Sequence, residues 1–150
     1  MKNLFEAQTA EEIKGRVAAL RPDSERQWGK MSVGQTVQHC CRGIQSATGE
    51  LVVERVLIGR LIGPMVKRMV LGNDKPFGRD SPTAKEFLVH GEPELALEQE
   101  RLVGLIDRFA AAGPAGCTTR PHAFFGKLTP EEWSELMYKH LDHHLRQFGV

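Results

Sequence analysis

The chain has 150 residues, 26% of them charged and 41% hydrophobic, with a formal net charge of +1. That size suits a single domain spanning residues 1–150, with room for a proper core. The composition is that of an ordinary globular protein, and so small a net charge argues against a nucleic-acid partner.

In chain order, the N-terminal MKNLFEAQTAEE has no apolar signal region and soon turns acidic. Secretion is therefore not expected, and the expected location is cytoplasmic. Thr9-Ala-Glu-Glu12 reads as a capping box opening a first helix that runs to about Leu20. Ile13, Val17 and Leu20 form its apolar stripe, and Arg21-Pro22 ends it. Trp28-Gly29-Lys30-Met31 is a short connection. Ser32 to Gln35 is a second capping box, so a second helix is expected from about Val33 to Ala47. Ser32, Gln35, His39, Arg42, Gly43 and Ser46 share one of its faces, with Val33, Val37, Cys40, Cys41 and Ile44 around it. Cys40, Cys41 and Cys117 are an odd set with two adjacent members, which reads as reduced thiols rather than a disulfide framework.

Leu51 to Leu71 is strongly apolar but carries Glu54, Arg55, Arg60, Lys67 and Arg68. Five charges are too many for a spanning helix, so no stable membrane insertion is expected. Gly63-Pro64 is expected to kink or break the segment. It reads as a broken crossover helix packed on the domain or on a second subunit, which makes a homodimer an expected partner. The competing reading is an interfacial helix with its basic residues at lipid headgroups. Gly72 to Glu92 is rich in Gly and Pro and reads as a long extended loop, of a length that is often functional in a compact domain, with His90 solvated at its end. A third bundle helix follows from Pro93 at its first turn to about Ala112, where Gly113-Pro114 stops it. Thr129-Pro130-Glu131-Glu132 is a third capping box, opening the last helix, which runs to Phe148. No run has a strand's period of two, so the fold class is all-α.

The last helix carries His140, His143 and His144. His140 and His144 are four residues apart, so both imidazoles lie on one face, one turn apart, where two nitrogens can reach one ion. Catalytic zinc usually takes three protein ligands. Neighbouring helices pack about 8–10 Å apart, so His39 on the second helix can supply the third. His143 points about 100° round the helix from His144. It is a surface residue or one that supports the site. Gln35, His122 and Gln147 are further candidates for lining or orienting it.

His39, the phrase Trp28-Gly-Lys-Met-Ser, the phrase Phe124-Phe-Gly-Lys-Leu-Thr and the final His140-Leu-Asp-His143-His144-Leu-Arg-Gln147 resemble the DinB/YfiT-like superfamily of metal-binding four-helix bundles, in a branch of undefined function. The resemblance covers nearly the whole chain and is weak between Leu51 and Glu92. It implies an up-down-down-up four-helix bundle, with Leu51 to Glu92 as a long, partly helical crossover between the second and third bundle helices. It also implies a metal triad of His39, His140 and His144, binding one divalent ion, zinc first and nickel second. Leu-Arg-Gln stands where many members have Arg-Gly-Gln after the paired histidines. The implied activities are thiol-dependent S-transfer, with a low-molecular-weight thiol as partner, and metal-dependent hydrolysis of a small-molecule substrate. The alternative is a non-enzymatic bundle with a structural metal or a stress-related binding role.

Overall fold

The computed structural model describes residues 1–79 and 83–150. Among them the chain is all-helical, with α1 over Ala7–Ala19, α2 over Val33–Thr48, α3 over Leu57–Val70, α4 over Leu95–Ala112 and α5 over Pro130–Arg146. Short 3-10 turns cover Lys85–Phe87 and Gly113–Gly116. There is no strand among the described residues, only one isolated bridge between His122 and Gly126.

Two of the three expected capping boxes form. Ser32 accepts from the Gln35 amide while the Gln35 side chain returns to the Ser32 amide, and Thr129 and Glu132 do the same at α5. The box expected at Thr9 does not form. The helix starts one turn earlier, after Glu6, and leaves Thr9 buried inside α1 with its hydroxyl donating to Glu6 at 3.1 Å. A threonine caps only when its own backbone is extended and outside the helix, and Thr9 is already helical. Pro93 likewise precedes the helix it was expected to begin: Glu94 is the N-cap of α4. The Pro93 carbonyl lies against Gly34, where an added Cβ would sit 2.4 Å from it.

Side-chain pairs fix the helix directions. Gln38 reaches Glu98 at 2.8 Å and Gln45 receives Arg101 at 3.5 Å, so α2 and α4 run the same way. Lys14 meets Asp107 at 2.5 Å while Gln99 bonds the Val17 carbonyl, so α1 and α4 run oppositely. Phe5 bonds Ser134 and Arg16 bonds Asp142, so α1 and α5 run together. Between these four helices lie Ile13, Val17, Val37, Cys41, Ile44, Leu102, Ile106, Phe109 and Leu141, all nearly without exposure. Cys40 and Cys41 are buried free thiols whose pKa burial raises, Cys41 to about 12, so they pack as small apolar groups.

The helix α3 runs through Pro64 as one element, so of the kink or break expected at Gly63-Pro64 the break does not occur. Pro64 is exposed, and so is Arg60, whose carbonyl loses its helix partner at the proline. The inner face is held by close backbone contact: a Cβ at Gly59 or Gly63 would lie 2.6 or 2.1 Å from the Phe124 carbonyl oxygen. Its C-terminal end is pinned to α5, where Lys139 donates to the Val70 carbonyl and Glu135 accepts from the Gly72 amide. Residues 80–82 of the expected Gly72–Glu92 loop lie outside the described residues. Within the loop, Lys85–Phe87 is ordered as a turn tied to α2 by Arg42, which donates to the carbonyls of Glu86 and Leu88. His90 is exposed.

Candidate metal centre

The capped start of α2 sets its helical phase and puts His39 on the face toward α5. There the His39 Nε2 lies 2.9 Å from the Nε2 of His140. One turn on, His144 joins them, with ring centroids 4.6 Å from His39 and 4.8 Å from His140. One ligand nitrogen from each histidine falls within 4.8 Å of the others. Two nitrogens bound to one zinc ion, each at 2.0–2.1 Å, lie about 3–4 Å apart, so the spacing suits a single ion.

Hydrogen bonds fix which nitrogen faces the centre. The His39 Nδ1 lies 3.1 Å from the Phe87 carbonyl, which can only accept, so Nδ1 carries the proton and Nε2 presents a lone pair. The His144 Nδ1 lies 2.9 Å from Gln147 Oε1. The Gln147 amide nitrogen donates to the Trp28 carbonyl at 2.7 Å, which orients the amide with its oxygen toward His144. His144 is therefore also held with Nε2 inward. This is how proteins orient metal-binding imidazoles. The Nδ1 of His140 is buried without a partner, so neither tautomer satisfies both its nitrogens: with Nε2 protonated it donates to His39 and leaves Nδ1 an unpaired acceptor, and with Nδ1 protonated two lone pairs face each other, an opposition that a cation beside Nε2 would remove. Burial is the main force keeping the three rings neutral. It lowers the pKa of His39 against the opposing Phe87 bond, takes His144 to about 3, and holds His140 well below its ordinary value, helped by the other two rings. Neutral imidazole is the form a metal binds. The three histidines could hold a metal ion.

Glycines make the approach close enough. An added Cβ at Gly43 would lie 2.8 Å from His140 Nδ1, so the imidazole rests directly on the α2 backbone. An added Cβ at Gly29, whose φ is +82°, would lie 2.3 Å from the Gln147 amide nitrogen. The Trp28-Gly-Lys-Met-Ser phrase thus builds both the seat of Gln147 and the cap of α2.

The other candidates are placed as follows. Gln147 orients His144. His143 is not in the three-membered group; its ring lies 5.6 Å from Trp28 and 6.1 Å from Phe77, with the Arg79 guanidinium 4.2 Å over the Trp28 ring. Gln35 is taken up by the cap of α2 and by the Gly91 carbonyl at 2.7 Å. His122 stands apart from the cluster: its Nδ1 accepts from the amides of Phe124 and Phe125 and its ring stacks on Phe125 at 4.7 Å. With Ser46, Phe87 and Trp133 it lines a cavity of about 30 Å³. The Phe87 carbonyl and Gly43 were missed from sequence. Gly43 had a visible signal, a side-chain-free position one turn from His39 on the same face; a backbone carbonyl in a loop has none.

A family model matches residues 5–149. The chain belongs to the DUF1569 family, described as a protein of unknown function. No curated protein and no solved structure matches it. For this DUF1569 chain the centre itself therefore carries the functional argument.

Proposed function

We propose that His39, His140 and His144 hold one divalent ion, zinc first and nickel second, in a metal-dependent transferase or hydrolase acting on a small molecule. The observation that carries this reading is the pair of Nδ1 bonds, from His39 to Phe87 and from His144 to Gln147, which leave two Nε2 lone pairs free in the cluster shared with His140. The architecture is proposed to be a DinB-like four-helix bundle of α1, α2, α4 and α5, up-down-down-up, with α3 in the crossover. The parallel pairing of α2 with α4 and of α1 with α5 supports it.

Three neutral nitrogens leave an ion's charge undiminished, so it supplies Lewis acidity toward a thiol or a water. The chain's own groups position and exclude. Gln147 and Phe87 hold the imidazoles, and Trp28, Phe77 and His143 form an aromatic rim beside His144. The nearest glutamates on α5 are committed elsewhere: Glu132 to the α5 cap and Lys67, Glu135 to Gly72 and Lys139. With those carboxylates engaged, thiol activation suits the site better than general-base hydrolysis, and a low-molecular-weight thiol is the proposed co-substrate.

Elemental analysis of the wild type and of His39→Ala, His140→Ala and His144→Ala tests the ligand set. Each of the three variants should lose the metal, and His143→Ala should keep it. Full stoichiometry in any triad variant removes that residue from the site. The cobalt-loaded protein, titrated with a small thiol and followed by visible absorption, tests the enzyme reading. A spectrum unchanged to millimolar thiol means a closed shell and a structural metal.

A further inference from the structure

The helix α3 is turned the opposite way from the other helices. Its small residues, Gly59 and Gly63, face the protein and meet the Phe124 backbone, while its large ones face out. Leu57, Leu61, Met65 and Met69 form an i, i+4 row exposed by 77, 81, 59 and 68%, with Ile58 beside it also exposed. An exposed row of that kind exceeds the scattered apolar side chains of an ordinary surface and marks an interaction site. The helix does not present it by chance fluctuation. It is fastened by the Val56 amide to the Ala123 carbonyl, by Lys67 to Glu132 at 2.7 Å, and by Lys139 to the Val70 carbonyl.

Charge says what covers this face. From Arg55 to Asn73 the chain has Arg55, Arg60, Lys67 and Arg68 and no Asp or Glu. The segment is +4 in a chain of +1, so the other residues sum to −3. Lys67 is paired with Glu132, while Arg60 and Arg68 stand exposed on the outer side. A second copy laid on this face would bring two pairs of guanidiniums together with no carboxylate on either helix. An anionic lipid surface accepts the aliphatic row and matches the arginines. No helix among the described residues is long and apolar enough to cross a membrane, so α3 would lie in the interface.

We propose that the outer face of α3 docks the protein on anionic phospholipid membranes, with Leu57, Leu61, Met65 and Met69 among the acyl chains and Arg60 and Arg68 at the headgroups. The test is co-sedimentation of the full chain with phosphatidylcholine vesicles made with and without phosphatidylserine, together with light scattering of the protein alone. Binding to the phosphatidylserine vesicles should be roughly tenfold stronger and should weaken with salt. Leu61→Asp should abolish it, and Arg60→Gln with Arg68→Gln should remove the anionic preference. All these side chains are exposed, so the variants should keep the wild-type helicity. Three results would overturn the proposal: no binding to either vesicle, unchanged binding of the Leu61→Asp variant, or a dimer in solution that Leu61→Asp splits. The last would assign the face to a second copy.

Discussion

His122 differs from the three clustered histidines in what its ring does. Its Nδ1 accepts from two backbone amides, so its neutral form closes the turn from His122 to Gly126, and burial lowers its pKa from 6.5 to about 4. Between those values the unfolded chain takes up the proton and the folded chain does not. Stability therefore falls as pH falls, by about 1.4 kcal/mol per unit, with nothing lost above 6.5 and no further loss below about 4. His122→Asn keeps an acceptor for the turn but cannot titrate. Urea unfolding across this range should show the wild type losing up to about 3–4 kcal/mol more than the variant. Equal losses in both would trace the acid sensitivity to other groups. At this scale the clustering of the three rings was legible in part: helical spacing puts His140 and His144 on one face, and His39 came in through the packing distance of neighbouring helices and the family resemblance. The partners that orient the rings were less so. Gln147 could be named from its place one turn past His144, but the Phe87 carbonyl reaches His39 across 48 residues of chain and leaves no mark in side-chain identity.

The helices show where local rules hold and where packing overrides them. Ser32 and Thr129 are themselves extended and cap as their sequences suggest; Thr9 carries the same pattern and is drawn into a helix that begins at Ala7. Gly63-Pro64 was expected to kink or break the segment, yet α3 continues through it, and the missing Cβ of Gly63 lets the helix touch the Phe124 backbone. Gly63→Ala puts a methyl 2.1 Å from that carbonyl, with backbone on both sides unable to yield cheaply. Overpacking of this kind costs about 1–3 kcal/mol, well beyond the gain of up to about 1 kcal/mol in helix propensity. Chemical denaturation should show a net loss near 1–2 kcal/mol. A stabilised variant would mean that α3 does not rest on the 124–125 segment.

Across the whole molecule the histidine centre joins parts that are distant in sequence. His39 lies on α2, His140 and His144 on α5, and the Phe87 and Trp28 carbonyls belong to two separate loops. The link from His39 to α5 was expected from the sequence, but the two carbonyl links were not, because a loop carbonyl leaves no mark in side-chain identity. A ligand that binds only this assembled arrangement stabilises it by mass action: at a hundred times its Kd the gain is about 2.7 kcal/mol. For a chain of 150 residues each kcal/mol moves Tm by about 2–4 °C. Removing metal with a chelator should therefore lower Tm by about 5–10 °C, and readding zinc should restore it. His39→Ala separates the two contributions. It removes the His39 bonds to His140 and to the Phe87 carbonyl, while Arg42 still ties α2 to the turn, so its Tm should be low with or without chelator, whereas His143→Ala should respond like the wild type. If wild type and His39→Ala shift by the same amount with zinc, the metal is acting somewhere other than the α2–α5 seam.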